Sequence, residues 1–257
     1  MSTPSSRSEA PKPLLRLMES RALFEFGAIA AASPLLRAFG RGDNHPVLIL
    51  PGFRAGDSST APLRSILMSQ GYWVHGWRLG RNLGTKPDVV DGLIDRIHDL
   101  LDRHDRKVSL IGWSLGGVYA RELAWMVPED VRMVITLGTP FRHHGATSVS
   151  WLYEDVTGQA REEMDETMRE RMDSPPPVPS TAIYSRSDGV VNWRCSVERH
   201  GEFAENIRVP GSHCGLGHNP AVLWAIADRL AQPEGAWQPF HRRGLRGLFF
   251  PEPDRSD

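Results

Sequence analysis

Apolar positions along the chain fall into short runs separated by longer amphipathic stretches. Val47–Leu50, Val108–Ile111 and Val131–Leu137 are short segments dominated by Val, Ile and Leu. Tyr72–Trp77, Thr181–Tyr184 and Asn206–Val209 add shorter runs bounded by Gly, Pro or Ser. Segments of this length and composition predict strands, and an uninterrupted apolar run predicts a strand buried on both faces. Between them the period changes. Ser58-Ser-Thr60 predicts the cap of a helix running to Gln70. Val90, Leu93, Ile94, Ile97 and Leu101 fall on one side of a helix within 86–103. Val118, Tyr119, Leu123, Ala124 and Met126 mark another, and Asn219-Pro220 reads as an N-cap followed by an N1 proline, opening a helix through Leu230. Strand and helix alternate, which predicts an α/β fold with a mostly parallel central sheet and helices on both faces.

Two stretches depart from the alternation. Residues 142–179 contain no predicted strand; they hold a charged helical stretch with Met164, Met168 and Met172 four residues apart, then Pro175-Pro-Pro-Val-Pro179. An insertion of this kind between core strands reads as a helical lid over a site, and adaptable Met suits an acyl pocket; plain packing explains the same stripe. Near the N-terminus, Leu15, Met18, Ala22, Phe26 and Ile29 share a helical face, with Arg16, Glu19, Arg21 and Glu25 assigned to the others. The plain reading is a helix packed on the core through those apolar residues; the sharper one is peripheral contact with a membrane surface. The organisation expected is an N-terminal arm with an amphipathic helix (1–45), a first core part (46–141), a lid insertion (142–179), a second core part (180–232) and a C-terminal tail (233–257) wrapped over the surface.

Composition narrows the functional classes. The 257 residues carry 30 Lys and Arg against 31 Asp and Glu, a net charge of −1. No basic excess marks a nucleic-acid partner. Two cysteines exclude a disulfide scaffold and a four-cysteine zinc site. The first residues are polar and lack the apolar core of a signal peptide, so a cytoplasmic protein is expected. His143-His144 has no further ligand at metal-binding spacing, and no lysine follows the glycines around Ser114 as it would in a phosphate-cradling loop. No cofactor and no metal are expected.

The chemistry concentrates where the strand Val108–Ile111 runs into Gly112-Trp-Ser-Leu-Gly116 and then a helix. G-x-S-x-G between a strand and a helix is a nucleophile elbow: Ser114 is held on a sharp turn with its hydroxyl exposed, and Leu115 N–H, at the helix start, is aimed where an oxyanion can form. A serine is inert without a base, and the base needs an orienting acid. Asp188 follows the strand at Ile183, with Gly189 expected to permit a tight turn. His213 follows the last strand, ahead of His218, which directly precedes a helix start and reads as packing there. Gly211 and Gly215 are expected to let the chain bend around His213. The second oxyanion donor is expected from the loop after the first long strand, at Phe53 N–H. Converging loops would also bring Cys195 and Cys214 near each other, with bonding left open.

These motifs together resemble the α/β-hydrolase superfamily, lipase/esterase type. The resemblance is carried by Leu50-Pro-Gly-Phe53, Gly112-Trp-Ser-Leu-Gly116, Leu137-Gly-Thr-Pro140, Ser187-Asp-Gly-Val-Val191 and Ser212-His-Cys-Gly-Leu216. It spans about residues 46–231 and implies cofactor-free cleavage of carboxylic esters, of small molecules or lipids, through an acyl-enzyme. One departure is that many lipases have His-Gly where this chain has Pro51-Gly52. Acyl transfer by the same triad and non-catalytic ligand binding are the alternatives, the latter disfavoured by an intact Ser, Asp and His.

Overall fold

The computed structural model describes residues 10–38, 42–84, 87–142 and 166–254. Six strands form one sheet: β1 (Pro46–Leu50), β2 (Trp73–Gly76), β3 (Val108–Trp113), β4 (Val131–Leu137), β5 (Ser180–Tyr184) and β6 (Ala204–Arg208). Their order is β2-β1-β3-β4-β5-β6, and every pairing is parallel. Parallel neighbours need crossover connections, and helices supply them. Around the sheet lie α1 (Pro13–Leu17), α2 (Ala22–Ala38), α3 (Asp57–Ser69), α4 (Pro87–His104), α5 (Leu115–Met126), α6 (Glu166–Asp173), α7 (Pro220–Leu230) and α8 (Arg246–Phe249).

Side chains alternate across a strand, so an all-apolar strand feeds two cores. Val47, Ile49, Ile111, Ile135 and Ile183 point to one face, where they meet Ile29 of α2, Leu63 and Leu67 of α3, and Val222 and Ile226 of α7. Leu48, Leu50, Leu110 and Val134 point to the other, against Leu93 and Ile97 of α4 and Tyr119 and Leu123 of α5. Each fully buried aliphatic side chain of this kind contributes roughly 1.5–3 kcal/mol, which makes β1, β3 and β4 the rigid platform of the molecule.

Two local expectations are revised. Helix α3 is capped by Gly56 with no side-chain cap, not by Ser58-Ser-Thr60. Its first residue, Asp57, instead accepts hydrogen bonds from Trp77 N (3.0 Å) and Arg78 N (3.2 Å), tying the helix start to the end of β2. The N-terminal arm is a short helix, a 3-10 turn over Met18–Arg21 and then α2. It does pack on the core through Ile29, but Met18 and Phe26 are exposed, and Glu19 and Glu25 are turned inward. The expected apolar face therefore lies partly in solvent, for a reason that the site explains.

Apart from Arg142, the insertion is described only from α6 onward; residues 143–165, which include His143, His144 and Met164, lie outside the described residues. The described part packs as core: Met172 is buried with Val118, Phe141 and Ala182. Arg121 of α5, fully buried, donates to the carbonyls of Met172 (3.0 Å) and Ser174 (2.6 Å), pairs with buried Glu198, and lies over the Phe141 ring at 3.9 Å. The C-terminal tail returns to the sheet, where Phe250 is buried against Trp224 and Phe240, and Asp254 accepts a hydrogen bond from Tyr184 Oη (2.9 Å).

Candidate active site

The site begins where β3 leaves the sheet. Ser114 has φ 53° and ψ −121°, a backbone region that costs a non-glycine residue about 1–3 kcal/mol and persists only when its surroundings impose it. Here they do. A Cβ at Gly112 would lie 2.3 Å from Gly117 Cα, and one at Gly116 would lie 2.2 Å from Leu50 O, so only glycine lets α5 cross the sheet this closely. Ser114 N donates to Leu137 O (2.8 Å), locking the turn onto the end of β4.

The next residue of that strand end touches the other half of the site. A Cβ at Gly138 would lie 3.1 Å from both Asp188 Oδ2 and His213 Nδ1. The C-terminal end of β4 thus lies against both Ser114 and the Asp188–His213 pair. Asp188 Oδ2 and His213 Nδ1 are 2.6 Å apart, and both residues are buried. Asp188 Oδ1 accepts from Val190 N (2.8 Å) and Val191 N (2.7 Å), which fixes the carboxylate in one orientation. Among the described residues no hydrogen bond joins the Ser114 hydroxyl to His213; bonds of this kind commonly tighten only when substrate is bound.

Burial alone would push the His213 imidazole toward its neutral form. The Asp188 charge and hydrogen bond, with Glu19 behind them, outweigh it and raise the His213 pKa above its ordinary 6.5. His218 has a different environment. Its ring meets Trp113 and Phe26 edge-on, at 5.5 and 5.4 Å between centroids, and burial lowers its pKa. It packs at the entrance of α7, as its position before Asn219 suggested. Trp113, the variable residue of G-x-S-x-G before the serine, donates from Nε1 to His213 O (3.2 Å) and so links the elbow to the base loop.

The loop expected to supply the second oxyanion donor lies against the elbow: a Cβ at Gly52 would be 3.3 Å from Ser114 Cβ, and Phe53 follows it. Leu115 is the first residue of α5. The loop is anchored by Asn82, which sequence reasoning did not single out. Asn82 is fully buried; its Nδ2 donates to Pro51 O (2.8 Å), its backbone N to Ala55 O (2.8 Å), and its carbonyl accepts from Arg54 N (2.6 Å). An asparagine between two Leu-Gly turns carries no local signal of this role. Cys195 is buried and Cys214 exposed, and both are free thiols. Among the described residues no group of His, Cys, Asp or Glu could hold a metal ion.

A six-stranded parallel sheet flanked by helices, with a serine elbow after β3, defines the α/β-hydrolase fold, and this chain has it. A family model described as the PGAP1-like alpha/beta domain matches residues 77–190, a span that includes Ser114 and Asp188 but not His213. No curated protein matches the chain in sequence. Among solved structures, the chain is similar to lipase B of Aspergillus fumigatus, with a TM-score of 0.63 and 19% identity over 82% of this chain; it spans only 57% of that lipase's length. It is also similar to a monoacylglycerol lipase of Paleococcus ferrophilus (TM-score 0.54, 15% identity, 75% of this chain and 96% of that one). An alpha/beta superfamily hydrolase of Oenococcus oeni PSU-1 is similar as well (TM-score 0.56, 15% identity, 74% and 94%).

Proposed function

We propose that the protein is a serine hydrolase that cleaves carboxylic esters through an acyl-enzyme. The observation that carries this reading is the strained Ser114 at the end of β3, with the end of β4 lying against both it and a buried Asp188–His213 pair at 2.6 Å. Burying a carboxylate beside an imidazole costs desolvation that a ligand pocket alone has no use for. In the proposed reaction Ser114 Oγ attacks the ester carbonyl while His213 Nε2 takes its proton. Asp188 holds the imidazole in one tautomer and stabilises its charged form. The N–H groups of Phe53 and Leu115 stabilise the oxyanion. His213 then returns the proton to the leaving alcohol, and water, activated by the same base, releases the acid.

The substrate proposed is a lipid-like ester met at a surface. The support is the arm itself, where Leu17, Leu23 and Phe24 are 77%, 78% and 83% exposed, and Leu14 and Phe26, close in sequence, are exposed as well. Apolar side chains grouped this way favour a lipid interface over water. Among the described residues no helix is long and apolar enough to cross a membrane, so the contact proposed is peripheral. The test is hydrolysis of p-nitrophenyl esters of graded chain length, with and without phospholipid vesicles. Turnover should extend to long acyl chains and rise with vesicles for those chains. Confinement to acetate and propionate esters, indifferent to vesicles, would overturn the lipid-ester reading; no turnover of any ester would overturn the hydrolase reading itself.

A further inference from the structure

The arm lies outside the region that resembles α/β-hydrolases, yet it is wired into both catalytic loops. Glu19 Oε1 accepts from Gly189 N (2.7 Å) and from His213 N (3.0 Å), and Glu19 Oε2 accepts from Cys214 N (2.9 Å). Gly189 is the residue after the acid, and His213 is the base. One carboxylate therefore holds backbone from the acid loop and the base loop at once. Arg21 does the same with opposite polarity, donating to Ser187 O (2.5 Å) and Gly211 O (2.9 Å). Glu25 accepts from Ser212 N (2.9 Å) and Ser212 Oγ (3.0 Å).

The loops are shaped to receive the arm. A Cβ at Gly189 would lie 2.3 Å from Leu15 O, and one at Gly215 would lie 1.3 Å from Glu25 Oε2. Gly189 does not adopt a positive φ, and neither do Gly211 and Gly215. The glycines expected to bend these loops instead make room: Gly189 and Gly215 for the arm, and Gly211 for Asn219, whose Nδ2 a Cβ would meet at 2.8 Å. Although burial opposes its charge, the three N–H donors and His213 hold the Glu19 carboxyl below its usual range. The other ionisable groups around it are Arg21 and Glu25 on the arm and the Cys214 thiol on the base loop.

Building on the hydrolase reading above, we infer that Glu19 is a positioning residue. Its ionised carboxylate fastens the acid and base loops to each other and places a second negative charge behind His213. Two effects follow. The Asp188–His213 geometry is set from outside the core, and the imidazolium formed during attack is stabilised by two carboxylates. Misplacing a reacting group by about 1 Å can cost on the order of 100-fold in rate. A staple that served stability alone would touch neither kcat nor the pH at which the base protonates.

The experiment uses the full chain with Glu19→Gln, Glu19→Asp and Ser114→Ala, a short soluble ester, and thermal unfolding alongside. Gln keeps the shape and one acceptor, but it removes the charge and turns an NH2 toward a backbone N–H. Glu19→Gln should lower kcat about tenfold or more with KM within about twofold, and should move the acid limb of kcat/KM to lower pH. Glu19→Asp keeps the charge on a shorter reach, so its kcat should fall while its acid limb stays at the wild-type pH. Wild-type kcat and acid limb in Glu19→Gln, with or without a lower Tm, would overturn the inference. Should Glu19→Gln fail to fold, Glu19→Asp decides: reduced kcat at wild-type KM supports the clamp, and wild-type kcat overturns it. Wild-type turnover that does not depend on Ser114 would remove the hydrolase reading and the clamp together. Ser114-dependent turnover that is indifferent to both Glu19 variants would remove the clamp alone.

Discussion

At the scale of single residues, the site is defined by what surrounds three side chains. Ser114 owes its conformation to glycines that let α5 close on the sheet, and Asp188 owes its orientation to the N–H groups of Val190 and Val191. His213 is the residue whose protonation the environment decides. Its pKa is raised above 6.5 because Asp188 and Glu19 outweigh burial. A base must be neutral to accept the serine proton, and a raised pKa keeps His213 protonated to a higher pH. Activity should therefore be lost on acidification with a kcat/KM midpoint above 6.5. A pH profile on a soluble ester checks this, and a midpoint below that value would contradict the electrostatic description. Ser114, Asp188, His213 and the candidate oxyanion donors Phe53 and Leu115 were legible because each stands directly after an apolar run or in a glycine-rich turn. Glu19 and Glu25 were not legible. A helical wheel assigns a carboxylate to solvent, and apart from the Ser212 hydroxyl their partners on the catalytic loops are backbone N–H groups 170 to 195 residues away in sequence, which carry no residue-type signal.

At the scale of elements, the pattern of apolar runs located all six strands and the helices between them, to within a residue or two at most ends. What it misjudged was the rotation of the arm. The core-packing reading of its apolar face put Met18 and Phe26 inward, whereas the hydrogen bonds of Glu19 and Glu25 turn them out. The buried Arg121–Glu198 pair was likewise invisible, since nothing in either local sequence names the other. It fastens α5 to the end of α6 and to the segment after β5. Removing one partner strands a fully buried charge. Glu198→Ala should therefore lose about 3–5 kcal/mol of stability in chemical denaturation, and replacing both partners by apolar residues should lose less. A loss below about 1 kcal/mol for the single variant would show that the guanidinium is satisfied by the Met172 and Ser174 carbonyls and the Phe141 ring without Glu198.

At the scale of the whole molecule, a parallel sheet delivers the C-terminal ends of its strands to one edge, and loops from that edge carry the site. The elbow follows β3, Asp188 follows β5 and His213 follows β6. The arm and the tail then close on the same edge from outside the core, the arm through Glu19, Arg21 and Glu25 and the tail through Asp254, which meets Tyr184 and Arg186 beside the acid loop. The proposed lipid contact, at exposed Leu17, Leu23 and Phe24, and the proposed clamp, at Glu19, thus fall on one element. All of this rests on Ser114 acting as a nucleophile. The direct measurement is reaction of purified wild-type and Ser114→Ala protein with a fluorophosphonate, read by mass spectrometry, with ester turnover in parallel. The wild type should carry one adduct, on Ser114. The variant should carry none, keep its fold, and lose activity by a factor of about 10⁴. An adduct on another residue, or turnover in Ser114→Ala within about tenfold of wild type, would contradict the account.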